Sequence, residues 1–150
     1  MITKERIKNL TEKHIRGSEV FLVDVRLSST GRITVLIDTI NGVTIDDCAS
    51  LSRYLSTELG EEAGDYELNV SSPGLDMPLL VLPQYRKNEG RMVDVVTHAG
   101  ISETGILRNV TEGGFDLEIA LKKKGQDPEV KILPYNYEDV KSVKVKISFK

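Results

Sequence analysis

The 150-residue sequence has one cysteine, two histidines and no tryptophan. A single thiol cannot form an internal disulfide, and one cysteine with two histidines is too few for a recognisable zinc spacing such as paired CxxC. Three phenylalanines and five tyrosines are the only aromatic residues, so rings on which nucleic-acid bases stack are scarce. We therefore expect no structural metal and no cofactor.

Long apolar segments are also absent. The longest run without a charged residue is the nine residues 77–85, far short of the roughly 20 that cross a bilayer. Residues 1–17 scatter charges through the region where a signal peptide needs an apolar stretch of about 7 to 15 residues. We therefore expect a cytoplasmic protein with no membrane partner.

Motifs that bind phosphate or perform catalysis are missing. Neither GxGxxG nor GxxxxGK[ST] occurs, and the GXXG loop of KH domains and the aromatic strand signature of RRM domains do not occur either. No Ser-His-Asp or Cys-His set can be nominated from spacing, since His14 and His98 lie in different halves of the chain. These absences argue against an enzyme and against nucleotide binding.

The composition that remains suits a folded, soluble chain, with 39% hydrophobic residues, 29% charged residues and a net charge of −3. A length of 150 residues allows one ordinary domain or two small ones. Residues 1–82 carry a net charge of −5, and residues 83–150 carry one of +2. The average charge therefore excludes a uniformly basic surface for nucleic acid, but it conceals two halves of opposite character.

Residues 1–82 show the periodicities of an α-β-β-α-β domain. Alternating apolar and polar residues predict three strands, at 21–27, 33–37 and 66–71. Apolar residues at helical spacing predict two helices, over 5–15 and 44–59. Thr44 followed by Asp47 matches the start signal of the second helix, and Gly60 ends it. We expect a three-stranded sheet covered by two helices.

The segment PGLDMPLLVLP at residues 73–83 contains three of the five prolines and indicates the domain boundary, which we place between residues 82 and 83. Period-two alternation then predicts five short strands, at residues 93–95, 106–110, 115–121, 130–132 and 143–149, with a helical turn at 135–140. This pattern predicts a small SH3-like or Sm-like β-barrel over residues 83–150. The expected fold class is α+β.

Two candidate sites on the second helix have structural explanations. Asp46 and Asp47 are adjacent and do not face each other, so they complement the helix dipole better than they form a catalytic pair. Cys48 lies on the apolar stripe, where a free cysteine behaves as a small hydrophobe. Neither feature points to catalysis.

The segment SSPG at residues 71–74 follows a predicted strand, and its composition is that of a chain reversal. The functional alternative is that this turn, with Leu75 and Asp76 after it, exposes backbone donors beside the domain joint. In the second half, Lys144, Lys146 and Lys150 share one parity of the last predicted strand and form a modest basic face. Such a face contacts phosphates without sequence preference, although it is also typical of a solvated barrel surface.

Two strings, IDTINGVTIDDCASLSRYLSTEL at residues 37–59 and YELNVSSPGLDMPL at residues 66–79, resemble the ribosome maturation factor RimP family. They occur in the family's order, after a helix and hairpin and before a β-rich half. The matching positions are Gly42, Val43, Asp46, Asp47 and Cys48 in the first motif and Ser71, Ser72, Pro73, Gly74, Leu75, Asp76, Pro78 and Leu79 in the second. The chain departs from the family at Met77, which is usually arginine, and at Gly60, where aspartate often follows the leucine.

The resemblance implies a non-enzymatic role in assembling the small ribosomal subunit. It implies contact with a ribosomal protein near the decoding centre and association with free small subunits in preference to translating ribosomes. On this interpretation the acidic half, with Asp46 and Asp47, attracts a basic ribosomal protein. The motif residues Gly42, Val43, Asp46, Asp47, Ser71, Ser72, Pro73, Gly74, Leu75 and Asp76 would make these contacts, and Lys144, Lys146 and Lys150 would contact rRNA.

Two alternatives stay open at this point. A stand-alone Sm-like RNA-binding module would bind single-stranded RNA with a steep salt dependence and without a preference for free subunits. A hydrolase using Ser71 or Ser72 is the third interpretation, for which no partner base can be named. No heptad pattern is present, so a monomer is the default expectation.

Overall fold

The structure is a computed structural model that describes residues 2–121, 125 and 129–146. The mixed α+β composition predicted from the sequence is confirmed. The chain forms two compact units, Met1–Pro73 and Gly74–Lys150, so the division comes earlier than the boundary expected between residues 82 and 83. The reason is Leu79, which is buried in the core of the second unit and donates its N–H to the carbonyl oxygen of Val143 at 2.8 Å.

The first unit has the α-β-β-α-β order that the periodicity predicts. Its elements are α1 (Lys4–Ile15), β1 (Phe21–Leu27), β2 (Arg32–Asp38), α2 (Ile45–Leu59), a 3₁₀ helix (Gly60–Asp65) and β3 (Glu67–Ser71). The two helices and three strands are confirmed, whereas the 3₁₀ helix has no counterpart in the sequence prediction. Gly60 ends α2 as predicted, with a positive φ of 57° that glycine adopts without steric cost.

The three strands form one sheet in the order β1-β2-β3. β1 and β2 are an antiparallel hairpin, and β2 and β3 are parallel, with Arg32 opposite Glu67 and Leu36 opposite Ser71. Parallel strands need a long crossover, which α2 supplies. As the central strand, β2 contributes Ile33, Val35 and Ile37, all fully buried, to the core of this unit.

The start of α2 is fixed by a capping box. The Thr44 hydroxyl accepts a hydrogen bond from the Asp47 N–H at 3.1 Å, and the Asp47 carboxylate accepts one from the Thr44 N–H at 3.0 Å. Two backbone donors that the helix itself leaves unpaired are thereby satisfied. The predicted helix start is confirmed.

The second unit contains the five predicted strands and one helix that was not expected. Its elements are α3 (Leu82–Lys87), β4 (Met92–Thr97), β5 (Ser102–Arg108), β6 (Gly114–Leu121), β7 (Glu129–Asn136), a 3₁₀ helix (Tyr137–Asp139) and β8 (Val140–Val145). The predicted turn at residues 135–140 is shorter than expected because Tyr135 and Asn136 pair with β6. The last predicted strand also included residues 147–149, which lie outside the described residues.

The five strands form an antiparallel sheet in the order β7-β6-β5-β4-β8. Among the described residues, the outer strands β7 and β8 pair only with β6 and β4, so the sheet is open where the sequence predicts a closed SH3-like or Sm-like barrel. The Leu79 N–H donates to the Val143 carbonyl of the outer strand β8. The segment before α3 therefore adds a hydrogen bond to this strand. The coarse prediction of a β-rich second half is confirmed.

A cluster of aromatic rings packs beside this sheet. Phe115 stacks on Tyr85 and on Tyr135 with centroid distances of 5.6 and 5.4 Å, and Tyr137 meets Tyr85 edge-on at 4.9 Å. The Tyr137 hydroxyl donates to the Thr111 carbonyl at 2.7 Å. Burial, with a smaller effect of Tyr137, raises the pKa of Tyr85 to about 12. Four of the eight phenylalanine and tyrosine residues therefore pack together in this one cluster.

We expect Thr44→Ala to lower the free energy of unfolding of the first unit by about 1 kcal/mol, because the substitution removes an N-cap acceptor. Urea unfolding followed by helical circular dichroism measures this change. Thr57→Ala on the same helix is the matched control, since the Thr57 hydroxyl only bonds the Arg53 carbonyl on the helix surface and alanine favours the helix interior. Equal stability of the Thr44→Ala variant and the unaltered protein would contradict the capping role.

The raised pKa of Tyr85 predicts an alkaline loss of stability. In the unfolded chain a tyrosine ionises near pH ~10, whereas folded Tyr85 keeps its proton to about 12, so the free energy of unfolding falls as the pH rises between these values. The stabilisation is fully present below the unfolded pKa. Urea unfolding at a series of pH values from about 9 upwards should show a smaller decline for Tyr85→Phe than for the unaltered protein, and identical slopes would refute this assignment.

Candidate functional site

The two sequence motifs meet, in part, at one edge of the first sheet. The chain leaves β2 after Asp38 and β3 after Ser71, and the parallel register places Leu36 beside Ser71. The carboxyl ends of both strands therefore lie at the same edge. We call residues 39–46 and 71–73, which follow these ends, the carboxyl edge. Gly74, Leu75 and Asp76 belong to the second unit.

The loop between β2 and α2 is held by local contacts. The Gly42 N–H donates to the Thr39 carbonyl at 3.2 Å, and Gly42 has a φ of 97°, which a residue with a Cβ rarely adopts. Val43 is half-buried and packs against the core of the first unit. Gly42 and Val43 thus shape and anchor the loop.

The two aspartates at the start of α2 differ in their exposure to solvent and in their hydrogen bonds. Asp47 is half-buried, and its carboxylate is engaged by the Thr44 N–H in the capping box. Asp46 is exposed. The start signal in the sequence already singles out Asp47 as the capping residue, and the geometry leaves Asp46 as the exposed carboxylate of the two.

Cys48 is half-buried and packs against the first core. Burial, and after it the charge of Asp47, raises the pKa of the Cys48 thiol. The thiol therefore stays protonated near neutral pH, where only the thiolate is a good nucleophile. The prediction that Cys48 has a packing role is confirmed by these contacts.

Two isoleucines at the carboxyl edge are exposed. Ile40 is 56% exposed, and Ile45, the first residue of α2, is 88% exposed. Sequence reasoning missed both residues. Helical spacing puts Ile45 one turn before Cys48, on the side of the apolar stripe, so the pattern alone suggests burial. Its exposure is a property of the tertiary structure that helical spacing does not predict.

The remaining part of the turn motif begins the second unit. The Met77 N–H donates to the Gly74 carbonyl at 3.1 Å, which closes a turn. A Cβ at Gly74 would lie 2.8 Å from a carboxylate oxygen of Asp76, which is the end of an exposed side chain that can move aside. Leu75 and Asp76 are exposed, and so are Ser71 and Ser72 in the first unit. Pro73 is half-buried.

The structure also forms a serine–histidine pair that spacing did not reveal. His14 Nε2 lies 3.2 Å from Ser50 Oγ, and the His14 ring stacks on Tyr54 with a centroid distance of 4.6 Å. Asp47 lines the same small pocket of about 170 Å³, but its carboxylate accepts the Thr44 N–H. A catalytic triad needs a carboxylate that orients the histidine, so this pair is best explained as a contact that joins α1 to α2.

The predicted basic face is weaker than the sequence suggests. Lys144 and Lys146 are exposed, but the register places Lys144 opposite Asp94 of β4. An opposite charge on the neighbouring strand reduces the positive potential that a phosphate would meet. Lys150 lies outside the described residues.

Within the described part of the chain, no group of three or more histidine, cysteine, aspartate or glutamate side chains is arranged to hold a metal ion. No helix among these same residues is long and apolar enough to cross a membrane.

Comparison with known proteins identifies the family. The model of the RimP N-terminal domain matches residues 10–76, which include the first motif and the second as far as Asp76. The chain is 34% identical over 146 residues to the ribosome maturation factor RimP of Porphyromonas gingivalis, covering 94% of this chain and 96% of that protein. It is 32% identical over 159 residues to the ribosome maturation factor RimP of Christiangramia forsetii, covering 97% and 99%. Likeness of this extent across both units shows that the chain belongs to the ribosome maturation factor RimP family.

Proposed function

We propose that this protein is a non-enzymatic factor for maturation of the small ribosomal subunit. The observation that carries the proposal is the similarity over nearly the whole chain to relatives named as ribosome maturation factors. Those names describe a maturation role and no catalytic reaction. The engaged Asp47 carboxylate and the raised pKa of the Cys48 thiol agree with this assignment.

In this role the protein holds a ribosomal protein and rRNA in a productive arrangement and so lowers the free-energy cost of reaching the native subunit. The two units divide the work. The acidic first unit binds a basic ribosomal protein near the decoding centre, and the second unit, as an SH3-like domain, contributes weaker contacts to rRNA. The protein acts in the cytoplasm as a monomer on free small subunits or their precursors.

The proposed protein contacts are the motif residues at the carboxyl edge and in the turn, namely Gly42, Val43, Asp46, Asp47, Ser71, Ser72, Pro73, Gly74, Leu75 and Asp76. Asp46 supplies the accessible charge, and Asp47 supports the helix start that presents it. A single exposed ion pair contributes only about 0.2 to 1 kcal/mol. Its main effect is on the rate and orientation of association with a basic partner.

The alternative function, a stand-alone Sm-like RNA-binding module, has less support. It would depend on the basic face of β8, and there Lys144 has Asp94 as its cross-strand neighbour. Among the described residues of the second unit, Tyr85 and Phe115 are buried and the half-buried Tyr135 and Tyr137 pack against them, which reduces the ring surface available for base stacking. Lys144 and Lys146 therefore remain secondary contacts in the proposal.

Gradient sedimentation of a lysate tests the proposal directly. We expect the protein to co-sediment with free small subunits and not with translating ribosomes, and cells that lack it should accumulate immature small subunits. An RNA-binding module of general type would instead spread over RNA-containing fractions. Normal small-subunit levels together with no co-sedimentation would refute the assembly role.

The electrostatic part of the proposal has its own test. We expect Asp46→Asn to weaken binding to isolated basic ribosomal proteins at low salt by a fewfold, and less at high salt, because exposed charges are screened. Asp47→Asn should affect mainly the unfolding free energy, since this carboxylate caps α2. The variant that carries both substitutions lacks both negative charges. If it binds the ribosomal proteins at low salt as tightly as the unaltered protein does, these aspartates make no electrostatic contribution to binding.

A further inference from the structure

Asn41 and Gly42 form the only asparagine–glycine step of the sequence. They lie at the carboxyl edge, in the loop between β2 and α2. The main-chain nitrogen that follows an asparagine can attack the carbon of the side-chain amide, and a side chain on the attacking residue obstructs the approach. Glycine has no Cβ and permits the closest approach. The other five asparagines are each followed by leucine, valine, glutamate or tyrosine, so Asn41 is the asparagine most open to this attack.

The surroundings of this step leave it accessible. Asn41 and Gly42 are both exposed, and the Asn41 side chain has no hydrogen-bond partner among the residues that the structure describes. A Cβ built on Gly42 would meet nothing within 4 Å. Water therefore reaches the side-chain amide, and no neighbouring group crowds the attacking nitrogen.

One hydrogen bond opposes the attack. The Gly42 N–H donates to the Thr39 carbonyl at 3.2 Å, and this bond must open before the Gly42 nitrogen is free to react. The net strength of a typical protein hydrogen bond corresponds to a slowing of about 2- to 13-fold relative to an open chain. The turn at Thr39–Gly42 therefore slows the attack without preventing it.

We propose that Asn41 is a site of spontaneous deamidation. The Gly42 nitrogen forms a bond to the side-chain amide carbon of Asn41, the bond from that carbon to the amide nitrogen breaks, and ammonia leaves with the proton of the Gly42 N–H. Water then opens the cyclic imide at either carbonyl carbon, which yields aspartate or isoaspartate. Asparagine and water thus become an acidic residue and ammonia, without an enzyme. This inference does not depend on the maturation role.

The two products alter the carboxyl edge differently. Both add a negative charge to the loop that leads into α2. Isoaspartate also routes the main chain through the former side-chain carbon, which lengthens the loop by one bond of about 1.5 Å. A longer loop cannot keep both the Gly42–Thr39 hydrogen bond and the packing of Val43 unchanged. We therefore expect isoaspartate to disturb the turn and aspartate to change mainly the charge.

The experiment incubates the folded full chain at neutral pH and analyses samples by tryptic digestion and mass spectrometry. Trypsin cleaves after Arg32 and Arg53, and the peptide of residues 33–53 contains Asn41 as its only asparagine and no glutamine. We expect this peptide to gain the mass difference between an amide and an acid and to separate into two products on chromatography. The rate should lie about 2- to 13-fold below that of the same protein in urea.

Asn69 is the matched internal control, because it is exposed like Asn41 but is followed by Val70. The peptide of residues 54–86, which carries Asn69, should stay unmodified over the same period. Asn41→Gln should abolish the modification of the peptide of residues 33–53, and Asn41→Asp provides the chromatographic standard for the aspartate product. Circular dichroism checks that the chain stays folded during the incubation.

Two results would overturn the proposal. If the peptide of residues 33–53 is modified only in urea, the turn between Thr39 and Gly42 blocks the attack in the folded protein. If Asn41 and Asn69 change at equal rates in the folded protein, the glycine has no special role. Modification of Asn41 alone in the folded chain, with both acidic products, would support it.

Discussion

The parallel pairing of β2 with β3 is the constraint on which the arrangement of this protein's candidate site depends. Because α2 carries the chain back across the sheet, the two strands end at the same edge, and Leu36 stands beside Ser71. Residues that are far apart in sequence, the loop before α2 and the serines at the end of β3, thereby come to the same edge of the sheet. An antiparallel pairing would have sent the two motifs to opposite ends of the sheet.

Local interactions then decide what that surface displays. The capping box between Thr44 and Asp47 fixes the first turn of α2 and engages one of the two adjacent aspartates. Asp46 is left facing solvent beside an unusually exposed Ile45. The family relationship indicates the maturation role, and the geometry separates residues of one motif: Gly42, Val43 and Asp47 shape the loop and the helix start, whereas Asp46 is exposed.

In the second unit the agreement between pattern and structure is closest where periodicity is strong. Each of the five predicted strands is present. Alternating apolar and polar residues predict strands well because every second side chain of a strand faces the core. The helix α3 was missed, since its start depends on Gln84, whose side-chain oxygen accepts the N–H groups of Leu80 and Val81 in a segment that prolines make look irregular. Leu79 belongs to the second unit partly through its hydrogen bond to Val143 of β8, which is more than sixty residues away in sequence. A local sequence pattern cannot predict a contact over that separation.

The sequence by itself determined the features that arise from neighbouring residues: the helices and strands of the first unit, the start of α2 at Thr44, its end at Gly60, and the excess of acidic residues around the motifs. These follow from interactions within a few residues, which a pattern can express. Only the tertiary structure decided that Lys144 lies opposite Asp94 on the neighbouring strand and that Ile45 is uncovered. Such outcomes depend on which distant strands pair and where the core ends, and those are set by long-range packing.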